Sequence, residues 1–476
     1  MKYSTWLRFA CFLGLAAFLF LTTVSCSQST SSSSGDISVF LTRLAGDGFT
    51  VQEGTYKLVD AIELCNTGIF NTCNGNNAGN PYYTYILPMA PEQTVSNEAA
   101  YLGGYLNYRL RSDEAIVLVG RTPPEVMYFS YRSFLFSRYY SDISRQFKIF
   151  GALGDTINKL TISTQGGSAN PFNQPLIVIT TADRGINDRV KNAAVAAGYP
   201  AAIVNTDVLP SGILNMGLSH ESDTFIYLTR TAMPIDLAGY ENYKIDPGGR
   251  VFRLTPNVPS ATDPYPTPTQ KPRGTGSSEA WLQSAVDDLR TAILNAYPAS
   301  SYETTELTTE VWLPETLYFL TNRRDLIGES RDTPYFWTNL ASKFTLADDP
   351  NEFLIVYGVN HMKSGKCTYS NFGVYGEKYL NGVAGVASPS FEGSADVYLP
   401  GHAQADYLYA WKVARSADGS AHCLVVPFGP QRYGWGTDAG DEYGFVGFRA
   451  YLETATTVGP KWEELVWDRV IKFKKK

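Results

Sequence analysis

Proton transfer near neutral pH calls for histidine, and the chain has four: His220, His361, His402 and His422. His220 stands in Ser219-His220-Glu221-Ser222-Asp223, which holds the residue types of a nucleophile, a base and an orienting acid. Neighbours along one chain seldom point at a common centre, so the run reads equally as a polar turn before an apolar strand. His361 follows the apolar run Phe353–Val359 and could serve as a base, a metal ligand or a turn residue. Asp183 lies just past the apolar run Pro175–Thr181. Ligands of parallel sheets bind outside the carboxyl ends of strands, which makes Asp183 the best-placed carboxylate. It is also where an acid would stabilise the start of a helix. A His with Asp183 would suit a hydrolase, provided the fold brings them together.

Other catalytic signatures are missing. There is no G-x-S-x-G, H-E-x-x-H, S-x-x-K or EF-hand spacing, and no C-x-x-C pair or His cluster to hold a metal. No cofactor is implied. Aromatic residues make up 13% of the chain, and some cluster with acids. Gln431–Gly444 gathers Tyr433, Trp435, Asp438 and Asp441. Aromatic planes beside carboxylates can stack on sugars and bond their hydroxyls, and the acids could take calcium. Asn66–Tyr85, with Asn74, Asn76, Asn77, Tyr82 and Tyr83, offers a second such surface. Both could also be Gly-rich turns packed over a sheet edge.

The N-terminus bears on location. Lys2 and Arg8 precede an unbroken apolar run, Phe9–Leu21, followed by Thr22-Thr23-Val24-Ser25-Cys26. The run is short for a membrane span and suited to a signal-peptide core. A small residue directly before Cys resembles the lipobox of bacterial lipoproteins, with Thr23 standing where that pattern prefers Leu. The resemblance implies cleavage before Cys26 and lipidation of its sulfur. Three acyl chains would anchor stably where one binds only marginally. Ser at position 27, in place of Asp, points by the bacterial sorting rule to the outer membrane. Ser27–Gly35 then reads as a flexible leash. Cys65, Cys73, Cys367 and Cys423 remain. An even number in an exported chain suggests two disulfides, Cys65–Cys73 and Cys367–Cys423 being the favoured pairing.

These residues need elements to position them. A chain of 476 residues has room for two or three domains. With 44% hydrophobic and 18% charged residues it can bury sizeable cores. A net charge of −7 disfavours nucleic acid as a partner. The Pro-rich stretch 256–278 separates an N-terminal α/β domain (36–255) from a C-terminal α+β domain (279–476), behind a signal peptide (1–25) and tether (26–35).

In the first half, Pro175–Thr181, a helix over Asp188–Gly198 and Ala201–Asn205 form a βαβ unit with a parallel strand pair. Ala115–Gly120, Met127–Arg138 and Thr224–Thr229 are further strands. The second half opens with a helix over Glu279–Tyr297 and continues mainly in strands, ending in a solvated basic tail at Lys472–Lys476. The fold class is α/β or α+β, with mixed sheets and a strand-rich C-terminal half. Glu114–Phe134 aligns without gaps to Glu352–Phe372, matching at Glu114/Glu352, Gly120/Gly358, Tyr131/Tyr369 and Phe134/Phe372. That hints at duplication, although strands resemble one another by chance.

Together these features describe an exported, lipid-anchored envelope protein that binds carbohydrate or a partner protein without catalysis. The alternatives are a periplasmic or surface hydrolase built on a His/carboxylate pair, and a structural component of an envelope complex.

Overall fold

Asp36 opens the described chain by capping the first helix. Its carboxylate accepts from the N–H groups of Ser38 at 2.7 Å and Val39 at 3.2 Å, so α1 (Ile37–Gly46) starts there and buries Phe40 and Leu44. The computed structural model describes residues 35–426 and 443–476. Cys26 and the loop residues Tyr433, Trp435, Asp438 and Asp441 lie outside them.

The fold is α+β. In the first half, α1 leads into β1 (Phe49–Val59), a short α2 (Ala61–Asn66) and β2 (Tyr82–Ile86). Then come β3 (Ala115–Arg121), β4 (Val126–Tyr140) and β5 (Arg145–Ala152). A βαβ unit follows: β6 (Pro175–Thr181), α3 (Arg184–Ala196) and β7 (Val204–Val208), with Ile177 opposite Val204 in a parallel pair. β8 (Thr224–Pro234), α4 (Leu237–Ile245) and β9 (Arg250–Pro256) complete the half. The sheet runs β7-β6-β3-β9-β1-β2-β8-β4-β5.

The second half has α5 (Gln283–Ala296), β10 (Tyr302–Leu307), β11 (Thr309–Val311), β12 (Tyr335–Thr338) and β13 (Glu352–Val359). It continues with β14 (Tyr369–Gly376), β15 (Asn381–Ala387), β16 (Leu408–Ala414), β17 (Cys423–Val425), β18 (Gly444–Tyr451) and β19 (Arg469–Lys475). They form two sheets, β17-β16-β13-β19-β10 and β11-β12-β18-β14-β15.

The second half repeats the first. Joining β10 to β11 across Thr308 gives the order β17-β16-β13-β19-β10/β11-β12-β18-β14-β15, strand for strand that of the first sheet in chain order. The long strand β1, which bridges both wings, is matched by β10 and β11 together. Orientation repeats too: β6 and β7 are parallel, as are β16 and β17. Register repeats as well. Ile116 faces Arg253 and Thr180, and Leu354 faces Lys472 and Val413. Tyr82 faces Arg230, and Tyr335 faces Arg449. A buried ion pair is copied: Glu114–Arg253 at 3.3 Å and Glu352–Lys472 at 2.7 Å. Gly120 and Gly358 have one cause, since a Cβ would meet Gly249 Cα at 2.9 Å in one and Asp468 Oδ1 at 2.6 Å in the other.

The gap-free alignment holds only as far as β3 and β13. Ser130 lies opposite Arg230 and Asn371 opposite Arg449, so the structure equates Tyr131 with Phe372 and Phe134 with Tyr375. The matches Tyr131/Tyr369 and Phe134/Phe372 are three residues out of register, because the connection into β14 is longer.

Other differences from the sequence reading have local causes. α3 begins before Asp188 because Asp183 caps it, accepting from Ile186 N–H at 2.9 Å. The strand expected at Ala201–Asn205 starts at Val204, since Ala201–Ile203 form a 3-10 turn after Pro200. The basic C-terminus is no tail. β19 lies between β10 and β13, with Val470, Ile471 and Phe473 buried and Lys472 held by Glu352.

Residues 257–278 lie against both halves. The Tyr265 N–H donates to Ala182 O at 2.9 Å, Arg331 donates to Lys271 O, and Arg273 pairs with Glu315 at 2.8 Å.

Candidate functional site

The histidines named from the sequence do not meet Asp183. His220 is exposed on a turn, its ring 5.0 Å from that of Tyr139. His402 lies 3.6 Å from Asp288, and His422 packs edge-on against Trp411 at 5.4 Å. Asp183 is committed as the cap of α3 and also accepts from Asp263 N–H.

His361 is buried in the second half. Its Nδ1 is 2.9 Å from both Glu279 carboxylate oxygens and its Nε2 is 3.5 Å from Asp468. Burial works against a charge here, but Glu279 and Asp468 outweigh it and raise the imidazole to about 10. A group so held stays protonated at neutral pH, with both nitrogens occupied, and is not available as a base.

Among the described residues, no three His, Cys, Asp or Glu side chains are placed to hold a metal ion, and no helix is long and apolar enough to cross a membrane. Cys65 and Cys73 are buried together, and burial above all pushes the Cys73 thiol up. Cys367 and Cys423 are not bonded to each other. Cys367 packs with Leu354 and Val356 on one face of β13, and Cys423 with Phe353 and Ile355 on the other.

A different constellation forms where the halves meet. Two loops are exchanged reciprocally. In the first half, Cys73 N–H donates to Tyr379 O and Gly75 N–H to Leu380 O, both at 2.8 Å. In the second, Leu326 N–H donates to Ile149 O and Gly328 N–H to Phe150 O, both at 2.7 Å. Gly75 and Gly328 each stand seven residues ahead of an equivalent tyrosine, Tyr82 or Tyr335. Their neighbours are Asn74 and Ile327, and all four residues have positive φ. Such mutual contacts are the mark of an approximate two-fold relation.

The exchanged carbonyls hold two arginines crosswise. Arg230 of the first half donates to Gly328 O, and Arg449 of the second donates to Gly75 O at 2.9 Å. Equivalent rings lie beneath them: Phe134 is 5.1 Å from the Arg230 guanidinium carbon, and Tyr375 is 5.4 Å from that of Arg449. Arg449 also donates to the Tyr375 hydroxyl.

Between them is a cavity of about 60 Å³, lined by both arginines, Tyr82, Tyr335 and Tyr451, with Leu64, Phe70, Ile226, Leu228, Leu313 and Ile327 among its apolar walls. One water needs about 10–15 Å³, so there is room for several waters or a small organic group. A groove of about 370 Å³ shares Val59, Ala61, Asn76 and Tyr82 with the cavity and reaches the exposed Asp60, Ala78 and Gly79, which makes it the route from solvent. The Asn66–Tyr85 segment singled out in the sequence thus supplies part of this wall.

The electrostatics are lopsided. Arg230 is 7% exposed and Arg449 5%, and neither is ion-paired among the described residues. Burial pushes the phenols of Tyr335, Tyr375 and Tyr451 up, so they stay neutral and cannot serve as counter-ions. Glu329 feels Arg230, but burial raises its carboxyl to about 8, which leaves it largely protonated at neutral pH. Its place in the repeat supports that state. Glu329 Oε1 accepts from Ala152 N–H at 3.1 Å, as Asn76 Oδ1 accepts from Gly382 N–H at 2.8 Å. A neutral amide does the same work in the other half.

An uncompensated buried charge costs several kcal/mol. Two of them around one cavity form a strong attractor for a negative group. Sequence reading missed this site. Its signal was an arginine as the one charged residue in each of two strands, Thr224–Pro234 and Gly444–Tyr451.

No protein-family profile matches the chain, and no curated protein does. Among solved structures, it is similar to an uncharacterised protein from Burkholderia cenocepacia, with 11% identity and a TM-score of 0.39 over 93% of this chain and 91% of that one. A protein from Vibrio parahaemolyticus is similar at 11% identity and a TM-score of 0.37, over 87% of this chain and 95% of that one.

Proposed function

We propose that this chain is a non-enzymatic ligand-binding protein of the bacterial envelope, exported and lipid-anchored at Cys26, whose ligand occupies the cavity between Arg230 and Arg449. The observation that carries the binding reading is the pair of buried guanidiniums without carboxylate partners among the described residues, around a cavity that solvent can reach. Export and anchoring rest on the Lys2–Cys26 segment and its polar leash. The binding reading replaces the hydrolase because His361 is locked between Glu279 and Asp468.

A panel of small acids, amides, sugars and amines, screened by thermal shift against the wild type and Ala61→Trp, tests the site. Ala61 is only partly buried and lines both cavity and groove, so a tryptophan there closes the neck. At least one compound is expected to stabilise the wild type but not the variant. Equal stabilisation of both proteins, or of neither, would remove the cavity as the binding site. Mass spectrometry of the mature N-terminus tests the anchor, and an unmodified Cys26 would end that part of the reading.

A further inference from the structure

We infer that the ligand is a small organic acid, its carboxylate held between Arg230 and Arg449 and its apolar body lying along Leu64, Phe70 and Leu228. This rests on the cavity reading above and narrows it to one chemical class.

The sign of the charge comes first. Both arginines line the cavity, both are more than nine-tenths buried, and neither has a carboxylate of the protein as partner among the described residues. Two carboxyls feel Arg230 without pairing with it: Glu329 is held largely protonated, its equivalent in the other half being Asn76, and Asp332, pushed up by burial, accepts instead from Tyr128, Thr156 and Asn158. A cationic ligand would add a third charge of the same sign. A neutral one would leave both guanidiniums uncompensated in a medium where each costs several kcal/mol.

Donor geometry comes next. A guanidinium offers five N–H donors. Arg230 spends one on Gly328 O, and Arg449 spends two, on Gly75 O and the Tyr375 hydroxyl. The remaining donors are matched by a group that only accepts. A carboxylate has two equivalent oxygens and about four acceptor positions. Its own two-fold symmetry fits two arginines that occupy equivalent places in the repeat and are held by equivalent carbonyls.

The walls supply the rest. Beyond the guanidiniums and phenols most of the lining is aliphatic and aromatic, with Cys73, Asn74, Asn76 and Thr84 the exceptions. Such a surface suits an alkyl or aryl body, leading outward past Ala61 to the groove, and offers little to a bare inorganic anion. Apolar walls with a few placed polar groups are the usual make-up of a small-molecule site.

Hexanoate, hexanamide and inorganic phosphate, titrated calorimetrically into the full chain at pH 7 and low salt, test the class. Hexanoate is expected to bind at least tenfold more tightly than either of the others. Arg230→Gln and Arg449→Gln should each weaken hexanoate at least tenfold and so narrow its advantage over hexanamide. Should either variant fail to fold, the comparison of acid with amide on the wild type still decides. Equal affinity for hexanoate and hexanamide would overturn the acid class and leave a cavity for neutral ligands. Phosphate as tight as hexanoate would overturn the organic body. No binding of hexanoate at millimolar concentration would overturn the class outright, while the Ala61→Trp screen judges the cavity itself.

Discussion

The carbonyl of Gly75 in the first half accepts a hydrogen bond at 2.9 Å from Arg449 in the second, and Gly328 and Arg230 make the mirror contact. The two halves are therefore joined by trading loops as well as by packing. Each loop must turn through left-handed backbone, with φ of 60° at Gly75 and 74° at Gly328. A side chain would strain both turns.

Space ranks the two glycines. A Cβ at Gly75 would come within 2.7 Å of the Trp312 ring, against 3.1 Å from the Phe150 ring at Gly328. Gly75→Ala should cost about 2–3 kcal/mol and Gly328→Ala about 1–2 kcal/mol. Urea denaturation of the full chain measures both. Neutral effects at both positions would argue against the exchanged-loop geometry.

Glu329 should make the fold sensitive to pH. Its carboxyl, near 4.5 in the unfolded chain, is raised to about 8 by burial. The folded state therefore holds the proton more tightly, and stability falls as pH rises from about 4.5 to 8. Glu329→Gln cannot ionise and copies the neutral amide of Asn76. It should match the wild type near pH 4.5 and exceed it by roughly 2–4 kcal/mol at pH 8. Paired urea titrations across that range test this. A variant less stable than wild type at pH 8 would mean that Glu329 is ionised and pairs with Arg230.

Strands buried on both faces were legible. Pro175–Thr181 and Glu352–Val359 stand out as apolar runs because every residue in them but Pro175 is buried. Elements decided by alternation or by distant partners were not. Lys472–Lys476 looks like a tail because its charges dominate locally, while the Val470, Ile471 and Phe473 that place β19 inside a sheet depend on neighbours far away in sequence. The repeat showed itself where a function is copied, at Glu114/Glu352 and Gly120/Gly358. It blurred beyond β3, where a longer connection shifts the register. The cavity's one local trace was a single arginine within each of two otherwise uncharged strands. Arg230 and Arg449 are ordinary residues until the two halves are brought together.

His361 contributes stability that falls with rising pH, as that of the buried Glu329 carboxyl does, but over a higher range. Its folded value, about 10, lies above the 6.5 of an unperturbed imidazole. The stabilisation is thus complete below pH 6.5 and is lost as pH rises towards 10. Glu279, held below its usual range against burial by His361, Ser364 and the Val466 N–H, loses its share as pH falls below about 4.5. His361→Asn should cost about 3–5 kcal/mol near pH 6, because two buried carboxylates lose their cation, and the deficit should shrink as pH approaches 10. Thermal or urea unfolding from pH 5 to 10 measures it. A deficit that does not change with pH would show that His361 is neutral in the folded chain.

The copied ion pairs should differ in cost because burial differs. Glu114 and Arg253 are both fully buried, and the Glu114 carboxylate also accepts from the Thr255 hydroxyl and from Arg111 N–H at 2.8 Å. Glu114→Gln strands a guanidinium with no water to turn to, so a loss of about 3–5 kcal/mol is expected. Lys472 is 19% exposed and Glu352 8%, so after Glu352→Gln the ammonium can still reach solvent along its flexible stem. A loss of about 1 kcal/mol is expected there. Parallel urea titrations of the two variants compare them at the same strand position of the two halves. Equal losses would show that position in the repeat, rather than access to water, sets the strength of the pair.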